Sequence, residues 1–260
     1  MPGLDQVKCF LLDMDGTFYL GENILPGSLD FIRKVEQTGR DFLFLTNNSS
    51  HNADYYVARL GRMGLTVGRE KILTSGQATA MKVTQLYPGQ RAFVLGNHYL
   101  LDELAEGGVE IDQERPDYVI IGYDTTLDYK KMTAVCDWVR AGLPYVATHP
   151  DFNCPTETGF APDIGAIIAF IEASTGRRPD LIVGKPYPGI VEAALKRTGL
   201  RNSQLAMVGD RLYTDVETGL KNGMTAILVL SGETTPEMAA QSPTRPHLTF
   251  GRLADMIPLL

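Results

Sequence analysis

The chain has 260 residues, 44% of them hydrophobic and 21% charged, with a formal net charge of −7. That length holds one large domain or two modest ones, and the hydrophobic share is ordinary for a soluble globular protein. An acidic chain without a basic run has no electrostatic footprint for nucleic acid or an anionic membrane, so any anionic ligand must be held by a local device.

The start, Met1-Pro2-Gly3-Leu4-Asp5, has neither the charged segment nor the apolar run of a secretory leader. No apolar run approaches the length of a membrane span, so the expectation is a cytoplasmic protein. Val7-Lys8-Cys9-Phe10-Leu11-Leu12 reads as a buried parallel strand. It breaks into Asp13-Met14-Asp15-Gly16-Thr17. An unpaired carboxylate is costly to bury, so two acids where a strand runs out need a reason. Two positions apart on an extended chain, both side chains point to one side. Asp13 then suits a nucleophile that also ligates a metal. Asp15 suits a backbone-carbonyl ligand whose carboxyl serves a leaving group. The plainer alternative is a strand end with helix-capping acids.

Residues 18–27 carry turn signals at both ends and read as a small hairpin, a flap beside the acids. Ser28 is the expected N-cap of a helix over Leu29 to Gln37, closed by Gly39. Asp41 to Thr46 is a second buried strand, giving a right-handed βαβ unit in a parallel sheet. It ends in Thr46-Asn47-Asn48-Ser49-Ser50, before a helix over Ala53 to Met63. Hydroxyls and N–H groups at a strand's carboxyl end hold phosphate without net positive charge; a bland Asx/Ser turn is the alternative.

A short strand over Lys71 to Thr74 and a helix capped by Ser75 follow. The pattern then restarts: strands over Arg91 to Gly96, Tyr118 to Gly122 and Tyr145 to Thr148, with helices through Leu104 and over Asp128 to Arg140. No phosphate motif lies at these strand ends. Residues 79–180 therefore read as an inserted α/β domain between core segments 1–78 and 181–260. The third strand runs into His149-Pro150-Asp151-Phe152-Asn153-Cys154-Pro155-Thr156, a polar loop in which His149, Asp151 and Asn153 are candidate substrate contacts. A structural role is the commoner one for such a histidine. A His149–Cys154 thiol nucleophile lacks a third orienting group. Cys9, Cys136 and Cys154 form no CxxC pair, which disfavours a zinc site or disulfide framework.

The stripe Ile164, Ile167, Ile168 and Ile171 marks a packed helix. From Pro179 the first architecture resumes: a strand ends in Gly184-Lys185-Pro186, where the ammonium is a point charge suited to phosphate. A helix from Pro188 precedes the buried run Leu205 to Val208, which breaks at Gly209 into Asp210 and, five positions on, Asp215. With Asp13 and Asp15 this makes four carboxylates at two strand ends, tolerable only around a cation. Oxygen ligands with open water positions suit Mg²⁺. A strand over Thr225 to Leu230 and an amphipathic stretch, Leu253 to Leu260, complete the chain.

Asp13-Met14-Asp15-Gly16-Thr17, Thr46-Asn47, Gly184-Lys185-Pro186 and Gly209-Asp210-Arg211-Leu212-Tyr213-Thr214-Asp215 resemble, in order, the four motifs of the haloacid dehalogenase superfamily. The insertion falls between the second and third, the place of the type 2 cap. The whole chain resembles the class IIA, NagD-like and p-nitrophenylphosphatase-like phosphatases. The resemblance implies a Rossmann-like parallel-sheet core with an inserted α/β cap. It implies a Mg²⁺-dependent phosphomonoesterase in which Asp13 forms an aspartyl-phosphate and Asp15 protonates the leaving oxygen, then activates water. Mg²⁺ would be held by Asp13, the Asp15 carbonyl and Asp210, with the fourth metal-site acid, Asp215, helping through water or by orienting a partner. Thr46, Asn47 and Lys185 would bind the phosphoryl group. Sugar phosphates, nucleoside monophosphates and pyridoxal phosphate all fit as substrates, and the oligomeric state stays open, a homo-oligomer included. A dehalogenase has no use for Asp15. A phosphomutase usually carries its cap after the first motif, and a non-hydrolytic phosphate-binding module needs only one phosphorylatable aspartate.

Overall fold

The computed structural model describes residues 4–156 and 159–260; the reading made above on Met1 to Gly3 lies outside them. Every residue of β1 (Cys9–Leu12) is buried. A small hairpin, β2 (Tyr19–Leu20) with β3 (Asn23–Ile24), leads to α1 (Ser28–Gln37), β4 (Asp41–Thr46), α2 (Ala53–Arg62) and β5 (Ile72–Thr74). α1 buries Phe31, Ile32 and Val35, the apolar stripe of a 3.6-residue period. Ser28 is not its cap. Gly27 takes that position at φ 83° with no side-chain cap bond, and Ser28 opens the helix as a buried residue. Glycine enters this left-handed region without steric cost, and a Cβ there would stand 2.5 Å from the Ala254 Cβ.

α3 (Ser75–Leu86) is capped by Thr74, whose hydroxyl accepts from the Gln77 N–H at 3.0 Å. Ser75, the expected cap, instead donates its hydroxyl to the Asn47 carbonyl. Then come β6 (Arg91–Leu95), α4 (His98–Glu106), β7 (Glu110–Ile111), β8 (Tyr118–Ile121), α5 (Tyr129–Arg140) and β9 (Tyr145–Ala147). The expected loop over 149–156 is half a hairpin: β10 (Asn153–Thr156) pairs antiparallel with β11 (Gly159–Pro162). Pro155 hid it, since proline within a run argues against a strand and is tolerated only at an edge.

α6 (Ile164–Thr175), β12 (Leu181–Ile182), α7 (Pro188–Thr198), β13 (Leu205–Gly209), α8 (Glu217–Lys221), β14 (Thr225–Val229), α9 (Pro236–Gln241) and β15 (Leu248–Phe250) close the order. β7, α9 and β15 were not expected; each is short and carries little periodicity. The C-terminal stretch Leu253–Leu259 is a 3₁₀ helix. Among the described residues no helix is long and apolar enough to cross a membrane.

Among the described residues, one sheet has the strand order β15-β14-β13-β1-β4-β5 and a second has β12-β9-β8-β6-β7. The described pairings within both are parallel. β12 pairs with β9, so the strand before Lys185 belongs to the second sheet and does not resume the first. Periodicity marks a strand but does not name its partner.

The chain divides into two compact units. One comprises the chain up to Thr46, Ala53–Leu73 and Val191–Leu260; the other comprises Asn47–Asn52 and Thr74–Ile190. The first is built on Phe10, Phe18, Phe31, Phe42 and Phe44, all buried. Phe18 and Phe44 meet edge to face at 4.9 Å. Burying one such side chain is worth about 1.5–3 kcal/mol, so this cluster anchors the sheet beneath the carboxyl ends of β1 and β13. The second unit has its own core, including Val119, Ile121, Val135, Tyr145 and Ile164.

Candidate active site

In the first unit, parallel pairing sets Leu12 beside Val208 and Phe44, so Asp13, Thr46 and Asp210 follow at the carboxyl ends of three neighbouring strands. The Asp13 N–H donates to the Val208 carbonyl at 2.9 Å, extending the ladder one residue past the strand. Asp13, Asp210 and Asp215 each bring a carboxylate oxygen within 4.8 Å of the others. Asp210 and Asp215 are 2% and 1% exposed, so water does little to separate their charges.

Asp210 is held from three directions. Its Oδ1 accepts from the Thr17 hydroxyl at 3.3 Å, its Oδ2 from the Glu233 N–H at 2.7 Å, and its carbonyl from the Thr234 N–H at 3.3 Å. Gly16, at φ 79°, lets this packing happen: a Cβ there would stand 2.5 Å from Asp210 Oδ2. The Ser231 hydroxyl donates to the Gly16 carbonyl at 2.8 Å. Burial, with Asp13 and Asp215 adding in the same direction, raises the Asp210 pKa to about 7 against the opposing Glu233 N–H and Arg211. A carboxylate fixed in place yet driven toward its neutral form by two neighbours is a site that asks for a cation.

The chain supplies Arg211 as well. Its Nε pairs with Glu233 at 3.0 Å, and its backbone N–H donates to Asp215 Oδ2 at 3.1 Å. Asp13 and the other acids raise its pKa despite burial. Asp15 is exposed. The protein packed around it raises its pKa, Arg59 and Arg211 oppose that, and Asp13 adds to it; water on the open side limits the size of the effect.

The second unit gathers Asn47, Lys185, His149 and Asp151. Asn47 Oδ1 accepts from the Lys185 N–H at 2.7 Å, and its Nδ2 donates to the Lys185 carbonyl at 3.0 Å. The same Nδ2 donates to both Asp151 oxygens, at 3.1 and 3.2 Å. The Asn47 amide is thus a clamp on the backbone of Lys185, a residue 3% exposed. His149 is fully buried: its Nδ1 lies 3.0 Å from the Thr148 hydroxyl and its Nε2 3.1 Å from Asp163 Oδ1. Burial pulls its pKa down, but Asp163 outweighs this and the net direction is up. Asp163 also caps α6, accepting from the Ile164 N–H at 2.6 Å. Asn153 is exposed at the start of β10.

Arg211, Glu233 and Asp163 were not expected here. An acid directly before an apolar helix was the available signal for Asp163. No pattern marked Glu233, whose contribution to Asp210 is a backbone N–H.

Comparison with known proteins agrees with this geometry. A family model described as haloacid dehalogenase-like hydrolase matches residues 10–110, and a second, HAD-hydrolase-like, matches residues 182–256. The chain is 36% identical to an acid sugar phosphatase of Staphylococcus aureus over 98% of both chains. It superposes on the crystal structure of a 4-nitrophenylphosphatase from Thermotoga maritima with a TM-score of 0.96, at 45% identity and 98% coverage of each. For NagD from Escherichia coli the TM-score is 0.88, at 32% identity, covering 96% of this chain and 98% of that one.

Proposed function

Since the chain belongs to the haloacid dehalogenase-like hydrolases, as a NagD-like phosphatase of class IIA, we propose that it hydrolyses small phosphate monoesters through a phosphoryl group carried on Asp13. Sugar phosphates are the favoured substrate class, since a relative is named for them. Nucleoside monophosphates and pyridoxal phosphate remain open to the same machinery.

The observation that carries this reading is the set Asp13, Asp210 and Asp215, with Asp15 two positions beyond the first acid. Family members generally use a divalent metal, and this donor set of buried, mutually repelling oxygens fits one. We assign it to Mg²⁺, held by Asp13, the Asp15 carbonyl, Asp210 and Asp215; when bound it neutralises charge on the acids and the phosphoryl oxygens.

Asp13 Oδ attacks phosphorus as the bond to the ester oxygen breaks. Asp15 gives its proton to that oxygen, so an alcohol departs. Asp15, now ionised, takes a proton from water as that water attacks the phosphoryl group, releasing phosphate and restoring the Asp13 carboxylate. Splitting the reaction in this way replaces one difficult step with two. Thr46, Lys185 and the backbone N–H of Asn47 are assigned to the phosphoryl group by the motif match, since the Asn47 amide is engaged with Lys185. The first unit is the core of the proposed catalytic domain; the expected cap over 79–180 lies within the second, which also takes in Asn47–Asn52 and runs from Thr74 to Ile190, so that Asn47 and Lys185, expected in the core, belong to it.

The test is phosphate release from p-nitrophenyl phosphate and a sugar phosphate, with and without Mg²⁺ after chelation, for the natural chain and Asp13→Asn. Asp13→Asn should lose roughly 10⁴-fold or more in kcat while keeping its melting temperature. Near-natural turnover by that variant would end the covalent reading.

A further inference from the structure

The flap of β2 and β3 follows directly on the Asp13-to-Thr17 loop, and the reaction above makes no use of it. Its first residue, Tyr19, is 1% exposed. The Tyr19 backbone is fixed to the loop that carries the acids: its N–H donates to the Met14 carbonyl at 3.1 Å, and its carbonyl accepts from the Gly16 N–H at 2.8 Å. Its hydroxyl donates to the Asp15 carboxylate. Arg59, on α2, holds the flap at three points. Its guanidinium carbon lies 4.7 Å from the Tyr19 ring centroid, its Nη2 donates to the Gly21 carbonyl at 2.9 Å, and the same nitrogen pairs with Glu22 at 3.2 Å. The Arg59 Nε is buried without a hydrogen-bond partner, so the guanidinium forgoes one bond to lie where it does. Contact with the face of an aromatic ring offsets part of that cost.

Asp15 stands exposed on a loop whose neighbour, Gly16, is in the left-handed region. A carboxyl in that setting has rotamers to choose from, and proton transfer needs one of them. Asp15 and Tyr19 are bridged along the backbone, their side chains are hydrogen-bonded, and Tyr19 is anchored by a second element. We propose that Tyr19 and Arg59 are positioning residues for Asp15: Arg59 pins the flap to α2, and the Tyr19 hydroxyl holds the carboxyl in the orientation from which its proton reaches the leaving oxygen. The inference rests on Asp15 being the acid of the proposed reaction.

Its signature is dependence on the leaving group. An alkyl phosphate departs as a poor leaving group and needs the proton; p-nitrophenolate scarcely does. Tyr19→Phe keeps the ring, the backbone bonds and the cation contact, and removes only the hydroxyl. It should lower kcat for glycerol phosphate about tenfold with KM unchanged, and kcat for p-nitrophenyl phosphate by less than about threefold. Arg59→Lys keeps the charge but loses the planar guanidinium that lies over the Tyr19 ring while its Nη2 reaches Gly21 and Glu22, and should show the same selectivity more weakly. Asp15→Asn is measured beside them, with melting temperatures of all three. If Asp15→Asn slows the two esters alike, Asp15 is not the acid and the inference falls with it. If Asp15→Asn is selective while Tyr19→Phe is silent or slows both esters by one factor, the inference alone is overturned.

Discussion

Among the described residues two clusters carry metal-ligating atoms at the same spacing, and they differ in how their charge is balanced. Asp13, Asp210 and Asp215 in the first unit and His149, Asp151 and Asp163 in the second each hold their ligand atoms within 4.8 Å of one another. In the first, Asp13 and Asp215 add to the burial that raises the proton affinity of Asp210. In the second, every acid has a donor from the protein itself: His149 and the Ile164 N–H on Asp163, the Asn47 amide on Asp151. Spacing alone therefore does not identify a cation site. What separates the two is the balance of charge: the first gathers three acids, whereas the second sets its two acids beside His149.

The sharpest way to break that contrast is Asp210→Asn. It should lower activity at fixed Mg²⁺ roughly a hundredfold or more. It should also stabilise the metal-free protein, because it removes one of three repelling acids. The sign with pH follows from the raised pKa. Between about pH 4 and pH 7 folded Asp210 binds protons that unfolded Asp210 has released, so the metal-free protein loses stability as pH rises through that window. Melting temperatures of chelated protein across that range should fall with pH, and the slope should flatten in Asp210→Asn or when Mg²⁺ is added. A flat profile in the chelated natural protein would remove the contrast.

The second cluster predicts a smaller and different effect. Asp163→Ala removes the α6 cap and the partner of a buried histidine, costing about 1–2 kcal/mol of stability. His149 has a raised pKa, so its contribution is complete below about pH 6.5 and fades as pH climbs through the folded value. The Mg²⁺ concentration needed for half-maximal activity should be the same in Asp163→Ala and the natural chain. A shift in that requirement would make the second cluster a metal site after all.

Much of the first unit was legible because its signals are local. β1, β4, β13 and β14 are continuous apolar runs, and each catalytic motif stands where such a run stops. Partnership was less legible. β12 is two residues long, and nothing in Leu181-Ile182 says that it pairs with Val146 and Ala147. The roles of Asn47 and His149 were hidden for the same reason. An asparagine after a strand reads as a phosphate ligand, yet its amide is taken by Lys185, 138 positions away in sequence. For the histidine a structural role was the commoner reading, but the acid it closes on, 14 positions further, was not marked. Tyr19 and Arg59 lay beyond reach altogether, since one sits in a flap and the other on a helix with no shared pattern.

The smallest expected effect concerns which residue of the 149–156 segment selects substrates. His149, Asp151 and Asn153 were expected to do so together, but they occupy different situations. His149 is fully buried with both ring nitrogens engaged, and Asp151 bonds to the clamp on Lys185. Changing either alters a support for groups that every phosphate ester would use, so the panel should slow by one common factor. Asn153 is exposed at the start of an edge hairpin, with a side chain that can donate and accept. Losing one hydrogen bond to a substrate hydroxyl is worth about 0.5–1.5 kcal/mol, or up to about tenfold in kcat/KM. Asn153→Ala should therefore reorder a panel of sugar phosphates by up to about tenfold and leave p-nitrophenyl phosphate, which has no hydroxyl to lose, within about twofold. If Asp151→Asn reorders the panel and Asn153→Ala slows it uniformly, the assignment is reversed, and the Lys185 clamp itself reads the alcohol.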